Sequence, residues 1–153
     1  MLCLKHKQII MRKSLNTLDE DLEAFLEAVI EIIKDFKPET VRDEEDFEKQ
    51  LFQTLKYVLE GHIARQYNAN CGRPDIVVDD TFAFELKIAN KKTNLVNLKG
   101  QIDDYLKEFK SVTVILLDTG DLEKRMINQY VADYKRLGAN SIIIKGKYKP
   151  RTG

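Results

Sequence analysis

Residues 72–87 read Gly72-Arg73-Pro74-Asp75-Ile76-Val77-Val78-Asp79-Asp80-Thr81-Phe82-Ala83-Phe84-Glu85-Leu86-Lys87. Two short runs rich in β-branched and aromatic residues flank the turn residues Asp79 and Asp80, the pattern of a hairpin. Side chains alternate along a strand, so Phe82, Phe84, Leu86 and Ile88 point one way and Glu85 and Lys87 the other, roughly 6–7 Å apart at ~3.3 Å per residue. Unpaired charge on so apolar a strand is costly. A divalent cation beside Asp75 and Glu85 would offset that cost, and Mg²⁺ takes carboxylates, a carbonyl and waters as ligands. Strand register decides whether the two acids can meet. If Ile76 and Val78 share a core with Phe82, Phe84 and Leu86, then Val78 faces Phe82, Ile76 faces Phe84 and Asp75 faces Glu85. That parity requires the three-residue connection Asp79-Asp80-Thr81 or a bulge; a two-residue turn would put the carboxylates on opposite faces.

Upstream, the periodicity is helical. From 17 or 19 to 36, Leu18, Leu22, Phe25, Leu26, Val29, Ile30 and Ile33 recur at spacings of three and four, with Thr17 and Glu20 as a capping box and Pro38 as the stop. A second helix is predicted over 42–59, with Phe47, Leu51, Leu55, Val58 and Leu59 on one face, acidic residues in its first turn and Gly61 after its end. Residues 62–67, 75–78 and 82–88 read as three consecutive antiparallel strands. Downstream the spacing predicts a helix over 95–109, a strand over 112–117, a helix over 122–137 stopped by Gly138, and a strand over 141–144. The order is α-α-β-β-β-α-β-α-β. It implies an α/β fold with a single mixed β-sheet flanked by helices, the alternating C-terminal part pairing in parallel.

A chain of 153 residues with 43% apolar and 33% charged residues suits one domain with one core. Residues 1–16 form a basic extension with four basic and no acidic groups, 17–147 the domain, and 148–153 a basic tail, with fraying expected from Lys145 to Gly153. Lys and Arg number 25, as do Asp and Glu, so the net charge offers no general attraction for a polyanion. Its distribution is uneven: residues 17–60 carry five basic and 14 acidic groups, and residues 61–153 carry 16 basic and 11 acidic. The C-terminal part is the expected side for nucleic acid. Cys3 and Cys71 have no metal-ligand spacing and form no disulfide framework, which fits a reducing, cytoplasmic compartment. Interspersed lysines exclude a signal peptide in the first 13 residues, and no apolar run reaches the ~18 residues of a membrane span.

The spacing Pro74-Asp75, nine residues, Glu85-Leu86-Lys87, set in a meander between helices, resembles the PD-(D/E)xK nuclease superfamily and its restriction-endonuclease-like core, over residues 43–118. Two further features are similar to members of it. Glu48 in Phe47-Glu48-Lys49-Gln50-Leu51 matches the acid on the preceding helix, with Glu45 or Glu44 in reserve. Gln101-Ile102-Asp103-Asp104-Tyr105 matches the glutamine and tyrosine of RecB-type exonucleases and some junction resolvases, one helical turn apart. The resemblance implies a Mg²⁺-dependent deoxyribonuclease, with Mn²⁺ able to substitute and endonucleolytic cleavage expected. Asp75, Glu85 and the Leu86 carbonyl would hold the metal, with Glu48 reaching it directly or through water. Lys87 would orient the attacking water or stabilise the transition state, Gln101 would fix substrate or Lys87, and Tyr105 would mostly pack. Arg65, Arg73, Lys91, Lys92 and Lys99 flank these residues as candidate DNA-backbone contacts, and a homodimer would place two sites on two strands.

The rival reading is a nucleic-acid-binding or assembly module that keeps the nuclease fold without turnover, since fold alone does not choose between them. Asp118 reads as part of a turn and helix cap with Thr119-Gly120-Asp121 rather than as a further ligand. His6 and His62 have no partner at ligand spacing. The sequence contains no P-loop, no dinucleotide fingerprint and no nucleophilic Ser or Cys with a base.

Overall fold

The structure, a computed structural model, describes residues 19–59 and 63–152. Its elements are α1 (Asp19–Asp35), α2 (Glu44–Leu59), β1 (Ile63–Arg65), β2 (Ile76–Val78), β3 (Phe82–Ile88), α3 (Lys92–Tyr105), β4 (Ser111–Asp118), α4 (Lys124–Leu137) and β5 (Asn140–Lys145). One five-stranded sheet runs in the order β1-β2-β3-β4-β5, antiparallel from β1 to β3 and parallel from β3 to β5. Among the described residues no helix is long and apolar enough to cross a membrane. Thr17, Gly61 and His62, named above as cap, stop and strand start, lie outside the described residues.

Each face of the sheet carries its own core. Ile76, Val78, Phe82, Phe84, Leu86, Ile88, Ile115 and Leu117 pack against Phe25, Val29 and Ile33 of α1 and Phe47, Leu51 and Leu55 of α2. Val77, Ala83, Val112, Val114 and Leu116 pack on the other side against Leu95, Leu98 and Ile102 of α3 and Ile127 and Tyr134 of α4. β3 and β4 are therefore apolar on both faces, as strands covered by helices on both sides must be. Complete burial of one such Phe or Ile side chain stabilises the fold by roughly 1.5–3 kcal/mol. At the odd positions of β3 the apolar character stops at Ala83; buried Glu85 and half-buried Lys87 follow at the strand's C-terminal end, which is where the site lies.

The hairpin register is the one that the apolar pattern requires. Val78 faces Phe82, Val77 faces Ala83 and Ile76 faces Phe84. The connection has three residues, Asp79 and Asp80 with φ of 54° and 53° and then Thr81, whose N–H donates to the Val78 carbonyl at 3.1 Å. Aspartate tolerates this left-handed backbone better than most residues, so the two acids here serve the turn.

Several boundaries differ from expectation for local reasons. β1 ends at Arg65 because Gln66 takes a left-handed φ of 51°. α2 begins at Glu44 because Asp43 caps it, its Oδ1 accepting from Asp46 N–H at 2.7 Å, while Asp46 Oδ2 accepts from Arg42 N–H at 2.8 Å. α3 begins at Lys92, a turn before the first buried leucine, and ends at Tyr105 instead of Phe109. The first part of the tail is tied to the connection between α1 and α2. Val41 is fully buried between α1 and α2, and its backbone groups need partners; its N–H donates to the Lys147 carbonyl at 2.8 Å and its carbonyl accepts from Lys149 N–H at 2.9 Å. Tyr148 packs against the α1–α2 core, so residues 147–149 belong to the fold.

Candidate active site

The ladder that fixes the hairpin continues one step past β1 and β2. Gln66 N–H donates to the Asp75 carbonyl at 2.9 Å, and Tyr67 N–H to that of Pro74 at 3.3 Å. With Arg65 opposite Ile76 and Ile76 opposite Phe84, Gln66, Asp75 and Glu85 form one row across the end of the sheet. The acids meet across this row: Glu85 Oε2 accepts from Asp75 N–H at 3.3 Å, and Asp75 Oδ2 accepts from Leu86 N–H at 2.9 Å. A strand residue's N–H and C=O point to the same edge, so the Leu86 carbonyl is turned toward Asp75 as well.

The surroundings oppose the charge of both acids. Burial pushes the Asp75 carboxyl up, helped by the charges of Glu48 and Glu44 and opposed by the Leu86 N–H and Lys87. Burial also pushes Glu85 up, and the neighbouring Asp75 charge adds to it, against Lys87, the Asp75 N–H and the Tyr105 hydroxyl. Two desolvated carboxyls that raise each other's proton affinity share protons as a pair. Tyr105 is raised too, by burial first and Glu85 second. Its ring packs beside Gly72, where φ is 141° and an added Cβ would stand 2.9 Å from Tyr105 Cε1. Tyr105 therefore both packs and faces Glu85.

Three helical or strand residues complete the cluster. Lys87 Nζ lies 3.2 Å from Glu44 Oε2 of α2. Gln101 of α3 donates from Nε2 to Glu85 Oε1 at 3.3 Å, and its Oε1 is a buried acceptor with no partner among the described residues. Glu48 is 2% exposed, and both its oxygens are occupied: Oε2 accepts from Arg65 at 2.8 Å and Oε1 from the Gln66 amide. Of the three candidate helix acids, Glu48 is the buried one that faces Asp75 through Gln66, Glu44 pairs with Lys87, and Glu45 pairs with Lys49 at 3.1 Å near the surface.

The basic residues divide between two clefts. Arg65 and exposed Arg73 line a cleft of about 370 Å³ together with Glu44, Glu45, Glu48, Gln66 and Asp75. Lys92 and Lys99 line another, of about 450 Å³, between α3 and α4. There Lys99 is engaged by Asp133 at 3.0 Å and sits over the Tyr130 ring at 5.2 Å. Lys91 precedes α3 in the cap position and is exposed. The structure thus brings Arg65 and Arg73 to the acids and places Lys99 elsewhere. Arg65 is also spoken for, being bound to Glu48.

Gln66 is the residue that sequence reasoning missed. Its only signal is the ladder parity that puts position 66 opposite 75, and that parity is readable only once β1 and β2 are known to pair. Among the described residues no group of three or more His, Cys, Asp or Glu side chains is arranged to hold a metal ion. The physical reason is the engagement of Glu48, which leaves two carboxylates. Those two still suit a hard divalent cation: they are desolvated, mutually repelling oxygen donors beside a backbone carbonyl, and the unpartnered Gln101 Oε1 is an acceptor for a water in the same place. No family model matches this chain, and neither a curated protein nor a solved structure matches it.

Proposed function

We propose that this protein is a Mg²⁺-dependent nuclease that hydrolyses phosphodiester bonds in DNA. The observation that carries the reading is the meeting of Asp75 and Glu85 across a hairpin with a three-residue turn, with Lys87 two residues along the same strand. A buried Glu85 hydrogen-bonded to half-buried Asp75 is a liability for folding unless a cation or a reaction uses the pair, and shifted carboxyls in a cleft are a mark of function. Asp75, Glu85 and the Leu86 carbonyl would hold the ion. Bound there, Mg²⁺ supplies a Lewis acid for the scissile phosphate and a water of lowered pKa.

The protein's own groups do the remaining work. Gln101 fixes the Glu85 carboxylate through Oε1 and offers an acceptor to a water. Lys87 carries a positive charge that acts on both acids, held by Glu44 in readiness for the negative charge that grows on a phosphate in the transition state. Arg73, exposed at the mouth of the cleft, is placed for the DNA backbone. The test is incubation of the purified protein with linear, circular, branched and single-stranded DNA in Mg²⁺, in Mn²⁺ and in chelator, beside Lys87→Ala. Cleavage that requires the metal and falls by at least 10²-fold in Lys87→Ala, with Mn²⁺ and DNA still bound, is the expected result. A Lys87→Ala variant that cuts as fast as the parent removes these residues from catalysis, and DNA binding without cleavage under every condition favours the non-catalytic module.

A further inference from the structure

Gln66 does something at this site that neither its position nor its residue type announces. Its backbone is left-handed, φ 51°, which residues with a Cβ seldom adopt. It is held there on both sides, its N–H donating to the Asp75 carbonyl at 2.9 Å and its carbonyl accepting from Arg73 Nε at 3.4 Å. This backbone sends the side chain between acids from two different elements. The amide Nε2 donates to Glu48 Oε1 and lies 3.5 Å from Asp75 Oδ1. Chemistry fixes which end of the amide points there, since an NH₂ group has two protons to give and an ionised carboxylate has only lone pairs.

The second oxygen of Glu48 is taken by Arg65 at 2.8 Å, and that guanidinium is stacked over Phe52 at 5.7 Å. A helix acid that could have joined Asp75 in binding a second cation is therefore neutralised by protein donors, with an amide between it and Asp75. We propose that Gln66 is a positioning residue: it ties Asp75 to the Arg65–Glu48 pair, and with Glu48 held by Arg65 the site takes a single divalent cation on Asp75 and Glu85. The inference rests on the metal-dependent reading above and adds to it the ion count and the residue that positions Asp75.

The experiment counts bound Mn²⁺ by electron paramagnetic resonance and measures its affinity by calorimetry on the full chain, with and without a short DNA duplex. The wild type should bind one Mn²⁺. Gln66→Gly permits the left-handed backbone and removes the whole side chain, the amide included; with Arg65 still on Glu48 it should bind one ion about tenfold more weakly, the scale expected when a group that orients a ligand is lost. Gln66→Glu turns the donor into a third carboxylate and should bind a second ion. Glu48→Gln should stay within about threefold of the wild type, whereas Asp75→Asn and Glu85→Gln should lose binding. Gln66→Gly within twofold of the wild type, or a wild type that holds two ions and loses one in Glu48→Gln, overturns the inference and leaves the nuclease reading standing. A wild type that binds no Mn²⁺ even with DNA brings down both. Melting in chelator monitors folding, and if Gln66→Gly does not fold, Gln66→Glu and Glu48→Gln decide the question.

Discussion

Glu85→Gln should make the metal-free protein more stable, which is the reverse of what most substitutions of a buried, hydrogen-bonded residue do. The glutamine keeps the shape of Glu85 and can keep its partners. Its oxygen can accept from Asp75 N–H, and its NH₂ can donate to Gln101 Oε1, now unpartnered, after a flip of that amide. What it removes is the cost of a carboxyl whose proton affinity is raised by burial and by Asp75. A tenfold to hundredfold rise in proton affinity corresponds to ~1.4 to ~3 kcal/mol. At ~2–4 °C per kcal/mol for a chain of this size, the variant should melt roughly 3–10 °C above the wild type in chelator at pH 8.

The sign with pH follows from linkage. A carboxyl raised in the folded state makes the folded protein bind more protons than the unfolded one, so stability falls as pH rises above the unfolded value of about 4.3. The advantage of Glu85→Gln should therefore vanish near pH 4, where the group is protonated in both states, and grow until the folded carboxyl ionises. Mg²⁺ should reverse the order, since it competes with protons for the wild-type pair and has lost a ligand in the variant. The assay is thermal melting of both proteins from pH 4 to 9, in chelator and in millimolar Mg²⁺. A Glu85→Gln variant less stable than the wild type at pH 8 in chelator, or a difference that does not change with pH, would show that the Glu85 carboxyl carries no such cost.

Arg73→Ala should weaken DNA binding and lower the slope of log affinity against log salt by about one, while Lys99→Ala, which loses only its contacts with Asp133 and Tyr130, should leave the slope unchanged; titrations at several salt concentrations separate the two. Gly72→Ala should destabilise the protein by more than about 1 kcal/mol in urea unfolding, because φ 141° and the Tyr105 ring both reject a Cβ, and Gly72→Ala should also weaken Mn²⁺ binding through the displaced Tyr105 beside Glu85.

Which of these groups could be read in the sequence depends on how far apart their causes lie. The β3 alternation is written in consecutive residues, so its bounds, Phe82–Ile88, and the outward turn of Glu85 and Lys87 follow from period two alone. The parity argument reaches one step further, since two apolar runs that share a core admit only registers of one parity; of the two connections that parity allows, a bulge or the three residues Asp79-Asp80-Thr81, the structure has the latter. α1, α2 and α4 are legible from their stripes, and Gly138, with φ 104°, ends α4 as expected.

Contacts between elements distant in sequence have no such local cause. Nothing in residues 147–149 announces that they cover the backbone of Val41, and nothing in Lys99 says that Asp133 rather than a phosphate will meet it. The choice among Glu44, Glu45 and Glu48 likewise depends on how α2 is rotated against the end of the sheet, because five acids in the six positions 43–48 present one in every direction. Element order, the two-sided apolar sheet and the facing of Asp75 and Glu85 are legible along the chain, because each follows from a period of two or 3.6 residues. That Gln66 stands between Glu48 and Asp75, that Glu44 takes Lys87 and that Arg65 and Arg73 line one cleft while Lys92 and Lys99 line another emerges on folding, because long side chains meet according to packing angles and desolvation that no local spacing encodes.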